Sequence, residues 1–217
     1  MTYAIKEIFS TIQGEGHHTG TAAVFVRFAG CNFWSGLERD RLTSSLCPFC
    51  DTDFVGTNGE NGGKYREAGA LAALVRSVAP RAGSVVCTGG EPLLQLDREL
   101  VEAFQAQGFA VHVETNGSVD LPDDNLGIDW VCCSPKSPDL LKLKRCDELK
   151  VIIPAQAHNL KHYDEWFGYN NAQHRFVQPE DGPDGQQERS FKACAILVMA
   201  NPEWRVSVQT HKLLGVP

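Results

Sequence analysis

Short apolar runs alternate with amphipathic ones along most of the chain. Residues 22–30, AAVFVRFAG, are rich in β-branched and aromatic side chains and read as a strand. Residues 65–80 place Ala68, Leu71, Ala72, Val75 and Val78 on one face of a helix. SVVCTG (84–89) reads as a short buried strand. A second helix follows, with Leu96, Leu100, Ala103 and Phe104 aligned and Gly108 as its C-terminal stop. FAVHVETNG, DWVCCSPK, ELKVIIP and HRFVQP read as further strands, ERSFKACAILVMAN as a helix aligning Phe191, Cys194, Ala195 and Val198, and EWRVSVQTHK as a closing strand. Such alternation predicts parallel pairing through right-handed crossovers.

The C-terminal ends of these strands are more particular than ordinary turns. They run into GGEP, TNG, SPK, PED and THK. In a parallel barrel or open α/β sheet those ends share the face on which ligands bind. The chain has 217 residues, short of the roughly 250 typical of eight strand–helix units. The expectation is an α/β fold: an incomplete (β/α)6-type parallel barrel, some crossovers reduced to loops, forming one domain over residues 1–217. Residues 55–67 and 179–190 read as surface loops of that domain.

Composition is that of an ordinary globular protein, 42% apolar and 22% charged. No apolar run is long enough to span a bilayer, and the first residues lack the pattern of a signal peptide, so a cytoplasmic protein without a membrane partner is expected. The net charge of −7 argues against a nucleic-acid partner, which would need a clustered basic excess. Gly14, Gly16 and Gly20 do not make the G-x-G-x-x-G of a dinucleotide site.

Eight cysteines are present, too unlike a secreted framework to read as disulfides. Cys87, Cys132, Cys133, Cys146 and Cys194 sit in or near apolar runs and read as small core residues. Cys31, Cys47 and Cys50 differ, because their context is polar and loop-like. Cys47 and Cys50 form a C-x-x-C pair, and 15 residues separate Cys31 from Cys47. Structural zinc wants four N or S ligands, usually as two close pairs; His17, His18 or His112 could complete such a set. Three thiolates also suit a four-iron cluster with one iron left for a small ligand.

Cys31, the Cys47-Pro48-Phe49-Cys50 run and GGEP at 89–92 resemble the radical S-adenosylmethionine superfamily, with a long insertion between the first two cysteines. The segments EIFSTIQGEG, AAVFVRFAGCNFW, CDTDF, CTGGEPLLQLD, VETNG, SPK and VSVQTHKLLG, in that order, resemble the 7-carboxy-7-deazaguanine synthase family. The resemblance implies a lyase that converts 6-carboxy-5,6,7,8-tetrahydropterin to 7-carboxy-7-deazaguanine and ammonia through a 5′-deoxyadenosyl radical, in 7-deazapurine and queuosine synthesis. It implies a 4Fe–4S cluster on Cys31, Cys47 and Cys50, S-adenosylmethionine, and Mg²⁺ on Thr52. It also implies a homodimer and an electron donor such as flavodoxin.

Further roles follow from the same resemblance. Gly89 and Gly90 let backbone approach the methionine end of the cofactor, and Glu91 accepts from its ammonium group. Ser134, Pro135 and Lys136 meet its carboxylate or ribose. Phe49 packs on the adenine, Phe49, Cys50 and Asp51 offer backbone groups, and Gln178, Pro179, Glu180 and Asp181 lie beside the adenosyl group. Ile12, Gln13 and Gly14 hold the pterin. Arg27, inside an apolar strand, needs an anionic partner; this is the substrate carboxylate or a protein carboxylate such as Glu15. Thr88 lies near the same carboxylate, and the terminal carboxylate of Pro217 reaches the substrate. Glu114, Thr115 and Asn116 serve a turn or the cofactor, and His211 and Lys212 face pocket or solvent. Two alternatives stand beside this reading: an activase that makes a glycyl radical on a partner protein, and a zinc-stabilised binding module.

Overall fold

A computed structural model describes residues 2–41, 46–182 and 186–217, with the side chains of residues 169 and 170 left aside. The strands are β1 (Tyr3–Ile12), β2 (Ala22–Phe28), β3 (Gly63–Tyr65), β4 (Ser84–Gly89), β5 (Ala110–Thr115), β6 (Trp130–Cys133), β7 (Cys146–Ile153), β8 (Ala172–Pro179) and β9 (Arg205–Val206). All lie in one sheet, ordered β3-β1-β2-β4-β5-β6-β7-β8-β9. From β2 onward the neighbours pair in parallel. Leaving out the two-residue β9, this gives six parallel strands, as expected.

The helices are α1 (Ala68–Val78), α2 (Arg98–Ala106), α3 (Leu160–Asn171), α4 (Gln186–Ala200) and α5 (Thr210–Leu214). The first four cross between parallel strands. The β5–β6 and β6–β7 crossovers carry only single 3₁₀ turns, Asn125–Gly127 and Pro138–Leu140. The crossovers reduced to loops are therefore these two.

Three elements depart from the sequence reading. The segment ending in Ile12 is the first strand, antiparallel to both β2 and β3, and does not precede strand one. The closing strand shrinks to Arg205–Val206, and Thr210–Leu214, read as its polar end, is helical. Helix α3 fills a stretch with no assigned element. Within the 55–67 loop, residues 63–65 form β3; of the 179–190 loop, residues 183–185 lie outside the described part and α4 starts at Gln186.

Alternation along the strands sorts two faces. Val85, Cys87, Val111, Val113, Leu149, Val151 and Val177 are buried outward against Leu71, Val75, Leu100, Phe104, Phe167 and Cys194 of the helices. Each fully buried side chain of this size contributes about 1.5–3 kcal/mol. Asp97 caps α2 by accepting from the Leu100 amide at 3.0 Å, and Tyr3 ties that cap to β1 by donating to the same carboxylate at 2.9 Å. The inner face carries polar residues at the alternate positions: Thr88, His112, Glu114, Glu148, Lys150 and Gln178.

The 13–20 turn joins the two ends of the strand order. The Gly14 carbonyl accepts from the Thr210 amide at 2.9 Å, the Gly16 amide donates to Ser207 Oγ at 2.9 Å, and the His17 amide donates to Glu148 Oε2 at 2.9 Å. Near the N-terminal ends of the parallel strands this turn packs His17 and His18 against His112, Trp130 and His174. The His17–His174 ring centroids lie 4.1 Å apart, and the His18–His112 pair 4.6 Å.

Burial first, and His18 second, push His112 down to about 4; His18 and His174 are lowered by burial and by neighbouring imidazoles. A folded-state pKa below the ordinary 6.5 means that the unfolded chain binds more protons. His112 therefore stabilises the fold fully above about pH 6.5, and this is lost as the pH falls towards about 4, on the order of 2–3 kcal/mol. Urea unfolding at pH 7.5 and 5.5, above the range where most carboxylates titrate, is expected to show reduced stability at the lower pH. His112→Gln is expected to flatten the slope, and an unchanged slope would remove the histidine from the account.

Candidate active site

The polar C-terminal strand ends open onto one cavity of about 380 Å³, within the range of small-molecule sites. Its wall includes Cys31, Cys47 and Cys50 from the segment after β2, Gly89 and Gly90 at the end of β4, Ser134 and Lys136 beyond β6, and Gln178 to Asp181 at the end of β8. Ile12, Gln13, Arg27, Phe49, Asp51, Thr52, Thr88 and Pro217 complete the predicted residues that line it. Three predicted residues stand behind the wall. Gly14 packs on His211, where a Cβ would come within 1.9 Å of Nδ1. The Pro135 carbonyl is held by Gln156 Nε2. Glu91 is fully buried, and its carboxylate accepts from the Leu93 amide at 3.0 Å, the Thr115 hydroxyl at 2.8 Å and the Asn116 amide at 2.7 Å. It ties the GGEP turn to the end of β5.

The cysteine site is built by close backbone approach. Gly90 donates to the Phe28 carbonyl, and Glu91 N to the Gly30 carbonyl at 3.0 Å. A Cβ on Gly90 would sit 2.0 Å from Gly30 O and 2.8 Å from Cys31 Cβ, so only glycine fits beside Cys31. None of the three cysteines is in a disulfide. Burial raises Cys31, against the lowering effect of the Phe33 and Trp34 amides. It pushes Cys47 up to about 11, opposed by Lys136. Thiols raised in this way, Cys31 and Cys47, give up their protons when a metal takes their place. Among the described residues no three His, Cys, Asp or Glu side chains converge on one point, as the ligands of a single zinc ion must. A cluster takes each thiolate on a different iron, and all three cysteines line the same cavity, so the donor set fits a 4Fe–4S group.

The opposite wall is ionic. Lys150, 5% exposed, binds Glu15 and lies 3.9 Å from Glu114. Gln13 Nε2 donates to Glu114 Oε1 at 3.1 Å, Thr88 Oγ1 to Glu114 Oε2 at 3.2 Å, and Gln209 Nε2 to Glu15 Oε1 at 2.9 Å. Burial would raise Glu15, but Lys150, Gln209 and His211 override it and hold it at about 2. Arg27 lines the cavity with its Nε on Glu7 at 2.8 Å; the protein carboxylate beside it is thus Glu7, whereas Glu15 belongs to Lys150. His211 and Lys212 both face the cavity, and Lys212 bridges Asp51 at 3.1 Å and Asp181 at 2.5 Å. The Pro217 carbonyl accepts from Thr11 Oγ1 at 2.7 Å. Lys150 and Gln209 were not singled out in the sequence. The available signal was a lysine at an alternate position of an otherwise apolar strand, ELKVII.

No family model matches the chain. Curated relatives do. It is 48% identical over 220 residues to the 7-carboxy-7-deazaguanine synthase of Burkholderia multivorans and 47% identical to that of Caulobacter vibrioides, each match covering both proteins completely. The chain belongs to the 7-carboxy-7-deazaguanine synthase family. The crystal structure of QueE from Escherichia coli superposes with a TM-score of 0.71 at 25% identity, covering 96% of this chain and 94% of that one. A 7-carboxy-7-deazaguanine synthase is a radical S-adenosylmethionine enzyme, which implies that cofactor and a 4Fe–4S cluster. No described helix is long and apolar enough to cross a membrane.

Proposed function

We infer that residues 1–217 act as a single-domain radical S-adenosylmethionine lyase converting 6-carboxy-5,6,7,8-tetrahydropterin to 7-carboxy-7-deazaguanine and ammonia, in queuosine and 7-deazapurine synthesis. The observation that carries this reading is the joining of three cysteines, the GGEP turn and an ionic wall in one cavity, in a chain matched along its whole length by that family. When bound, the reduced cluster and S-adenosylmethionine supply the hydrogen-abstracting radical.

The chain's own residues hold and orient. Cys31, Cys47 and Cys50 ligate the cluster. Gly90 keeps the backbone close, Phe49 packs on the adenine under Lys136, 5.8 Å from its ring, and Gln178 to Asp181 line the adenosyl side. Ser134 and Lys136, joined at 2.7 Å, meet the cofactor's polar end. Glu91 supports this subsite from behind. Gln13 and the backbone of residues 12–14 pair with the pterin edge, Arg27 and Thr88 take its carboxylate, and Pro217 reaches it from the other side.

Thr52 ligates Mg²⁺. A hydroxyl alone is a poor site for that ion, which takes carboxylates, substrate oxygens and waters, so the metal binds well only with substrate present. Thr52→Ala is expected to cut turnover by about tenfold or more while leaving the cluster's absorbance and iron content unchanged; loss of cluster in this variant would contradict the assignment. The reading also includes a flavodoxin-type electron donor, a homodimer and a cytoplasmic setting, all supported by the family resemblance.

The deciding experiment is an anaerobic assay of the reconstituted protein with reductant, S-adenosylmethionine, Mg²⁺ and the carboxytetrahydropterin. Formation of the deazaguanine is expected. Cofactor cleavage without product would retain a radical enzyme but remove this substrate.

A further inference from the structure

The 15 residues between Cys31 and Cys47 have no part in ligating the cluster, yet their described portion is closely held. A 3₁₀ turn, Glu38–Asp40, is steadied by the Ser35 hydroxyl, which donates to Asp40 Oδ2 at 2.5 Å. Gly36, at φ +77°, lies against Phe54 and Val55, where a Cβ would meet Val55 Cγ2 at 2.6 Å. Trp34, 7% exposed, packs edge-on against the buried Phe54 with ring centroids 5.8 Å apart. Trp34 and Gly36 thus seat this part of the insertion on the residues that follow the last cysteine.

Arg41 closes this arrangement. Its guanidinium lies 4.8 Å from the Trp34 ring centroid. Its Nε donates to both oxygens of Glu38 at 2.9 Å. Its Nη1 turns the other way and donates to the Pro48 carbonyl at 3.0 Å and the Cys50 carbonyl at 2.8 Å. These carbonyls flank the tight turn in which the Cys50 amide donates to Cys47 O at 3.0 Å. A planar fork can grip a carboxylate on one side and two carbonyls on the other; an ammonium cannot reproduce that geometry.

We propose that residues 34–41 of the insertion brace the C-x-x-C turn and that Arg41 is their positioning residue, fixing the turn in the conformation that presents Cys47 and Cys50 to the cluster. The proposal rests on the cluster reading above. A cluster bound by three thiolates has one fewer protein anchor than a four-cysteine site, so freedom in the turn translates directly into loss of iron. Two charge-assisted hydrogen bonds to the turn's backbone restrict that freedom.

The test uses the full chain, reconstituted anaerobically with iron and sulfide, as wild type, Arg41→Ala and Arg41→Lys. Release of iron to a ferrous chelator is expected to be about tenfold faster in Arg41→Ala, with an altered electron paramagnetic resonance spectrum of the reduced cluster and an unmoved unfolding midpoint of the cluster-free protein. Arg41→Lys, which keeps the charge but loses the fork, is expected to recover only part of the retention. Wild-type release and spectrum in both variants would overturn the proposal, as would faster release that merely tracks a fall in the cluster-free midpoint. Should Arg41→Ala not fold, Arg41→Lys decides by the same two readouts. A wild-type protein that takes up no four-iron cluster would instead refute the function proposed above.

Discussion

Replacing Cys31, Cys47 or Cys50 singly by Ala is expected to abolish product formation and to leave a protein without the brown absorbance of an iron–sulfur cluster. The size of the effect follows from the count of donors. Three thiols face the cavity, and among the described residues no further His, Cys, Asp or Glu completes a shared group with them. Two thiolates would leave two irons of a cube without protein ligands, and among the described residues no fourth cysteine lines the cavity to take the place of the third. Folding need not suffer to the same degree, because backbone and Arg41 contacts also hold the turn. Removing Cys47, 5% exposed and raised by burial, deletes a buried thiol that is costly to ionise without metal. Iron and acid-labile sulfide analysis of each variant after anaerobic reconstitution is the check. Full retention of iron would exclude that cysteine as a ligand, and replacement of Cys87, which is buried in the core away from the cavity, is the control expected to keep both cluster and colour.

The parallel strands were legible because burial on both faces leaves continuous apolar runs such as SVVC, and α1 and α2 because their apolar positions follow the helical period. Strand β1 was hidden by Lys6 and Glu7, adjacent charges in its middle. The structure explains both: Lys6 turns to the Val55 carbonyl and Asp53, and Glu7 to Arg27. Helix α3 was hidden because Gly168, at φ +58°, interrupts its last turns and its apolar positions share the stretch with many polar ones. The apparent final strand alternates well, but after Val206 only the Ser207 amide still donates to β8, to the Val177 carbonyl at 2.9 Å, and α5 begins at Thr210. At the site, ligand-type residues and glycine turns could be read locally. Lys150 could not, since a charged residue in an apolar strand acquires meaning only from Glu15, 135 positions away. Arg41 escaped for the same reason, its partners being backbone carbonyls that composition never reveals.

Lys150→Met is expected to lower stability by about 3–5 kcal/mol at pH 8, because it leaves carboxylates in a buried site without their cation. Lys150 and Glu15 are 5% and 14% exposed, so water only partly replaces the lost partner. The pH dependence separates this cause from simple loss of packing. In the wild type Glu15 is held at about 2, below the ordinary carboxylate value. Its contribution is therefore present above about pH 4.5 and disappears only as the pH falls towards 2. Without Lys150 the strongest remaining influence is burial, which raises the carboxyl. The folded variant then binds a proton that its unfolded chain releases, and its stability increases as the pH falls from 8 to 5. The penalty of the substitution should accordingly shrink over that interval. Met preserves most of the side chain's volume, so cavity formation adds little and is in any case independent of pH. Urea unfolding of wild type and variant at pH 8 and pH 5 measures the difference. An equal penalty at both values would mean that the ammonium serves only as packing, and no penalty at either would mean that Glu15 does not depend on it for its charge.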